Sequence, residues 1–285
     1  MIQNIFKKTL ERKACFSAGI EVNRPLDILP GAEEIRVLLL GDWGSGSIEQ
    51  KNIAEKSAVT CDQLGCDLVL MMGDNFIQHG VENLDDPQFQ EKFEKVYTQK
   101  VPFYPVLGNH DLQGNWRAQV EYTNHSERWT MPDSSYDFLG GPVQFMGINT
   151  SCTVCSLWKL LSPRTTPWRV VFGHRPILSQ GRHRGMNWLE KQFLCSSSAQ
   201  LYCCGHNHIL EHYNMGTWTR SLREEEEARW KMKKLKAVQK PNSSIPTMGM
   251  FGSMSIKKSC PRDSLTRTGK KSINSLEIKT ETGGN

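Results

Sequence analysis

No apolar run in the 285-residue chain approaches the roughly 20 residues that a membrane-spanning helix needs, so no helical bilayer span is expected. The first 23 residues, MIQNIFKKTLERKACFSAGIEVN, carry basic groups but no continuous apolar stretch, and no secretory signal is read there. They are only weakly like an organellar transit peptide, and the compartment stays open. Regular cysteine spacing is missing as well: the nine cysteines are an odd number in no disulfide-like pattern. The CTVC at 152–155 has no second pair beside it, and Cys203 and Cys204 sit in an apolar run and read as core thiols. Internal repeats are absent. So are a GxGxxG spacing and a P-loop lysine, which makes GDWGSGS (41–47) a poor nucleotide loop. The body has no excess of positive charge: residues 1–215 hold 20 Lys+Arg against 23 Asp+Glu, whereas residues 216–285 hold 15 against 7. The net charge of +5 therefore belongs to the tail, which reads as a solvated extension rather than a nucleic-acid arm. A monomer is expected. Sequons at Asn124, Asn149 and Asn242 would matter only in a secreted protein.

What the chain does have is a globular composition, 38% hydrophobic and 23% charged, with eight Trp and eleven Phe for a core. Six short apolar runs recur: IRVLLL (35–40), DLVLMM (67–72), FYPVL (103–107), VQFMGI (143–148), RVVF (169–172) and QLYCC (200–204). Continuous runs of this length suit strands covered on both faces. Helical spacing appears between the first two, with Ile53, Ala54, Ala58 and Leu64 in phase and a serine as cap, and again over 87–99 and 185–194. Strands alternating with helices predict an α/β fold of layered sheets. The division expected is a leader over 1–34, a domain over 35–215 and a basic tail over 216–285. In that tail 223–240 has a charged helical pattern, with Glu225–Arg229 and Glu227–Lys231 four residues apart, and disorder is expected after it.

The chemistry collects where the apolar runs stop. LLLGD ends on Asp42, LMMGDN on Asp74 and PVLGNHD on Asn109, His110 and Asp111; VVFGH ends on His174 and YCCGHNH on His206 and His208. Each ending alone is ordinary, a turn carboxylate or a core histidine. Five in order, with only Asp, Asn and His as the polar groups, point to metal ligation at the carboxyl ends of strands. This mixed hard and borderline donor set suits Mn²⁺, Fe, Zn²⁺ or Mg²⁺, and it is too large for one ion.

In that order the blocks resemble the calcineurin-like metallophosphoesterases. GDWG, GDNF, PFYPVLGNHD and AQVEY…ERWTMP are similar to the purple acid phosphatase branch, especially its small tartrate-resistant type. The resemblance runs from about 35 to 215 and implies a four-layer αββα sandwich with a metal pair at its loops. It implies further that Asp42 and His208 hold the first metal, that Asp74 bridges, and that Asn109, His174 and His206 complete the second site. His110 is implied as leaving-group acid, His183 as a second substrate contact and Asp111 as the group orienting His110. The reaction implied is hydrolysis of phosphate monoesters by metal-bound hydroxide, with the phosphate ester as partner.

The sequence departs from this family in three places. Ile77 stands where the purple enzymes carry an Fe(III)-ligating tyrosine, which predicts a colourless protein with two divalent ions, Fe, Mn or Zn. The segment between FMGINT and RVVFGH is short, and the tail resembles none of the family's later strands, so the second half is expected to be truncated. Two alternatives follow: a catalytically impaired pseudo-phosphatase serving as a metal-binding or scaffold protein, and a phosphodiesterase or nucleotide hydrolase.

Overall fold

The computed structural model describes residues 19–21, 27–151, 160, 163–209, 211, 213–214, 233–234, 250–257 and 276–279. Strand β1 (Glu34–Gly41) is followed by helix α1 (Ile48–Leu64), then β2 (Leu68–Met71), a π-helical turn (Phe89–Glu94) and β3 (Phe103–Pro105). A single turn of 3₁₀ helix (Asp111–Gln113) leads into the short α2 (Trp116–Glu121) and then β4 (Tyr136–Gly140), β5 (Val143–Ile148) and β6 (Trp168–Gly173). Helix α3 (Trp188–Ser196) precedes β7 (Leu201–Cys203), and four further strands follow: β8 (Tyr213–Asn214), β9 (Lys233–Lys234), β10 (Met250–Lys257) and β11 (Leu276–Lys279).

The strands form two main sheets, ordered β11-β10-β1-β2-β3 and β4-β5-β6-β7. In the first, β2 lies parallel between β1 and β3, and all four of its residues are buried. In the second, β5, β6 and β7 run parallel, and every residue of β5 and β6 is buried. Strands covered on both faces can be apolar without alternation, which is why these runs stand out in the sequence. One core joins the two sheets: Ile35, Leu38 and Leu70 share it with Phe138, Phe145 and Phe172. Tyr104 of β3 stacks on Phe138 of β4 with ring centroids 3.7 Å apart. A second core, holding Met146, Val171 and Leu194, lies between β5–β6 and α3. Two sheets with helices on them give a mixed α/β sandwich, the architecture the resemblance implies.

Local chemistry sets the helices. Ser47 caps α1, its hydroxyl accepting from the Gln50 amide, and Gly65, at φ 75°, ends it. The buried face runs through Gln50, Ala54, Ser57 and Cys61, so the expected face is rotated: Leu64 is exposed at the last turn. Asn187 and Glu190 form a capping box at the start of α3.

Several expectations are corrected. Cys61 and Cys66 form a disulfide across the end of α1, where no disulfide-like spacing was read. Strand β4 was not foreseen, because in YDFLG the burial alternates and the apolar run is broken by Asp137. The tail is not simply helical and then disordered. Lys233 and Lys234, inside the expected helix, pair as a strand with Asn214 and Tyr213. Further on, β10 pairs antiparallel with β1 over eight residues, from Glu34 opposite Lys257 to Gly41 opposite Met250, and Ile256 is fully buried. The rest of 223–240, the CTVC, Asn242 and residues 1–18 of the leader lie outside the described residues. Asn149 is buried and Asn124 exposed.

Because β10 closes the flank of the strand that carries Asp42, its removal uncovers an edge of β1. A chain ended at residue 245 is expected to lose soluble monomer on size exclusion, or to melt more than about 5 °C below the full chain. An unchanged melt of the shortened chain would show that β10 contributes nothing to the sheet.

Candidate metal centre

Asp42 follows the last residue of β1, and Asp74 stands three residues past β2. Both take left-handed backbone, at φ 51° and 52°. His206 (φ 78°) and His208 (φ 49°), in the loop after β7, do the same. Among the described residues only one other non-glycine residue, Ser198, has positive φ. Backbone strain of this kind costs on the order of 1–3 kcal/mol per residue and persists where the surroundings over-determine it. Here it falls on four of the six residues at which the sequence predicts metal ligation.

The convergence is tight. Asp42, Asp74 and His174 are buried, and each offers a ligand atom within 4.8 Å of the other two. The His174 Nδ1–H donates to the Met72 carbonyl at 2.9 Å, which turns Nε2 to the centre. There Nε2 lies 3.1 Å from Asn109 Oδ1, 3.0 Å from His206 Nδ1 and 3.3 Å from Asp74 Oδ2. His208 Nε2 is 3.6 Å from Asp42 Oδ1, on the exposed side. The structure thus brings together Asp42, Asp74, Asn109, His174, His206 and His208. Asp42, Asp74 and Asn109 come from the first sheet and the three histidines from the second. Buried carboxylates beside neutralisable imidazoles and a carboxamide are the donors a divalent cation of borderline hardness takes, so the residues fit a metal.

Backbone amides hold the carboxylates still. Both Asp42 oxygens accept from the His206 amide, at 3.0 and 2.8 Å, and Asp74 Oδ1 accepts from the His110 amide at 3.0 Å. Burial pushes the Asp74 carboxyl up, but its hydrogen bond and attraction to His174, with smaller help from His110, leave it below its ordinary value. Burial likewise disfavours charge on His174, yet the hydrogen bond to Asp74 and the charges of Asp74 and Asp42 outweigh it and raise the ring to about 9. His206 is driven the other way, to about 4, by burial and then by His174 and His183. A hydrogen bond to Asp42 raises His208.

The remaining predicted residues are placed as follows. His110 is half-buried, with Nε2 3.9 Å from Asp74 Oδ2 and Nδ1 2.6 Å from the Gln78 carbonyl. His183 lies against the centre, its ring centroid 4.4 Å from that of His206. Asn207 holds it there by two main-chain bonds, accepting from the His183 amide and donating to its carbonyl. Asp111 is fully buried, and its carboxylate accepts from the amides of Gly108, Asn75 and Phe76 and from Gln119. It braces the two loops that carry Asp74 and Asn109, while the atom against the His110 ring is the Gln78 carbonyl, where Asp111 was expected. Burial and the nearby Asp74 charge raise Asp111 to about 6. Ile77 is half-buried; its amide donates to the Gly44 carbonyl at 2.9 Å. Asn207, Gln119 and Gln78 were missed by sequence reasoning. Only Asn207 had a signal, its place between the two histidines of GHNH.

Space is as limiting as charge. A Cβ on Gly108 would lie 2.1 Å from Asp74 Oδ1 and 2.2 Å from the Asp74 amide nitrogen. Gly108→Ala is therefore expected to displace Asp74 and cost about 1–3 kcal/mol, read from the denaturant midpoint. A wild-type midpoint would show that the loops yield freely.

A model of the calcineurin-like phosphoesterase family matches residues 35–210. Human tartrate-resistant acid phosphatase type 5 is 31% identical over 62% of this chain and 68% of its own length. Purple acid phosphatase 3 of Arabidopsis thaliana is 30% identical over 69% of this chain and 63% of its own length. The chain thus spans about two thirds of the length of these relatives. A solved structure described as GAP50, the anchor in the inner membrane complex of Plasmodium, aligns with a TM-score of 0.59 at 19% identity, over 88% of this chain and 90% of that one. At that identity the likeness is one of fold.

Proposed function

The chain belongs to the calcineurin-like phosphoesterase family, in its purple and tartrate-resistant acid phosphatase branch of metal-dependent phosphoric ester hydrolases, and we propose that it hydrolyses phosphate monoesters at a binuclear divalent-metal centre. The observation that supports this reading is the mutual approach of the Asp42, Asp74 and His174 ligand atoms within 4.8 Å, in a buried place fed by both sheets. In this reading Asp42 and His208 hold one ion, Asn109, His174 and His206 the other, and Asp74 both. Such a pair, when bound, acidifies a coordinated water and neutralises charge on the phosphate oxygens.

The chain's own groups do the rest. The Gln78 carbonyl occupies His110 Nδ1 and leaves Nε2 turned towards the centre, where it carries a proton to the leaving oxygen. His183, fixed beside His206, contacts the phosphate from the other side. Asp111 keeps the Asp74 and Asn109 loops in register, so the donors stand pre-placed. Ile77 offers no ligand atom, which favours divalent ions at both positions and a colourless protein.

The test is phosphate release from an aryl phosphate between pH 4 and 9, after loading with Mn²⁺, Zn²⁺ or Fe²⁺. Asp74→Asn is expected to lower turnover about 100-fold or more while the fold persists by circular dichroism. Flat traces from folded, metal-loaded wild type would overturn the reading and leave the scaffold role. A second expectation concerns protons. His174 must shed its proton to ligate, and its ring is held up to about 9, whereas His206, at about 4, is already neutral. Proton and cation compete for the same nitrogen, so affinity rises with pH, by about tenfold per unit, and levels off above about 9. Calorimetry in buffers of different ionisation enthalpy would read at least one proton released near pH 7.5. A pH-independent affinity would remove His174 from the ligand set.

A further inference from the structure

Lys92 sits in the π-helical turn on the far side of the loop that bears Ile77, and its ammonium donates to the Ile77 carbonyl at 2.5 Å. Its stem lies along the loop after β1, where a Cβ on Gly46 would meet Lys92 Cε at 3.1 Å. Its own carbonyl accepts from Gln50, whose side-chain oxygen takes the Gly46 amide at 2.6 Å. Lys92 therefore straps together the loop after Asp42 and the loop after Asp74. The next carbonyl along the chain from Ile77 is that of Gln78, the acceptor for His110 Nδ1.

We propose that Lys92 is a positioning residue for His110. It holds the Ile77 carbonyl, and with it the peptide whose following carbonyl fixes the His110 ring. The Ile77 carbonyl is held by Lys92 from one side while the Ile77 amide donates to the Gly44 carbonyl, so both ends of this residue are tied to the first sheet's loops. Burial holds the Lys92 ammonium below its ordinary value, and the charges of Asp86, Asp111 and Glu91 offset part of that cost. A point charge on a flexible stem reaches this carbonyl from the neighbouring turn.

The catalytic half of this inference rests on the hydrolase reading; the geometric half does not. Lys92→Met keeps the stem and removes the charge, and Lys92→Arg returns a charge. In ¹⁵N spectra of the full metal-loaded chain, assigned with His110→Gln, wild type is expected to show His110 protonated at Nδ1. Lys92→Met is expected to shift that signal towards an average of the two tautomers, with the thermal midpoint of Lys92→Arg near wild type. On an aryl phosphate, Lys92→Met is expected to lower kcat about tenfold with KM within twofold, and Lys92→Arg to recover most of the loss. An unaltered Nδ1–H signal in Lys92→Met, or equal losses in Lys92→Met and Lys92→Arg, would overturn the proposal. If wild type hydrolyses nothing yet the signal still shifts, the positioning stands and the hydrolase reading fails.

Discussion

Two aspartates from different strands, Asp42 and Asp74, are buried with their carboxylates in near contact, and much of the local structure answers to that constraint. Like charges within 4.8 Å of each other repel by about 3 kcal/mol or more at an effective dielectric near 20, before desolvation is counted. Within the chain the compensation is directional. Amides of His206 and His110 point at the carboxylate oxygens, and His174 Nε2 lies 3.3 Å from Asp74. The His174 ring is correspondingly basic and the neighbouring His206 ring correspondingly acidic, since two adjacent imidazoles do not both carry charge in a dry place. A bound cation would take the role that the His174 proton plays without one, which would link binding to proton release.

The same constraint explains the backbone. A side chain placed this exactly has to leave its strand at once, and left-handed φ at Asp42, Asp74, His206 and His208 makes the turn within a single residue. The loops then stack more closely than a methyl group allows: a Cβ on Gly44 would fall 1.8 Å from the Asn75 carbonyl oxygen. Beneath them lies a block of aromatic rings, Trp43, Phe76, Phe93 and Trp129, with centroids 5.1–6.3 Å apart. Trp43 and Asn75 also bond to each other, at 3.1 Å.

How much of this the sequence disclosed depended on burial. Strands covered on both faces wrote themselves as unbroken apolar runs, and the candidate ligands stand out because they sit where those runs stop. Half-exposed β4 wrote a broken run, YDFLG, and was lost. The partner strand β10, MFGSMSIK, carries serines and a glycine and falls in the stretch expected to be disordered, although it pairs with β1 along its whole length. The Cys61–Cys66 bridge spans five residues across a helix end, and no pattern of nine cysteines advertises it. Asp111 was expected to orient His110, but its partners are the amides of Gly108, Asn75 and Phe76 and the Gln119 side chain, and backbone amides are what every residue has and no sequence displays. For the same reason the Gln78 carbonyl that touches His110 could not be read in advance.

The centre is also the seam of the sandwich. Three of its six residues belong to the first sheet and three to the second, so the distances among them report how the sheets dock. The core joining the sheets through Tyr104 and Phe138 and the site at their loops are two ends of one interface. An ion held by Asp42, Asp74 and His174 therefore binds the folded, docked chain and not the unfolded one. At a hundred times its dissociation constant such a ligand adds about 2.7 kcal/mol to the stability of the docked state. That amount is a large fraction of what a domain of this size has to spare. The acids that make the site costly to fold are the ones through which a bound cation would return that cost.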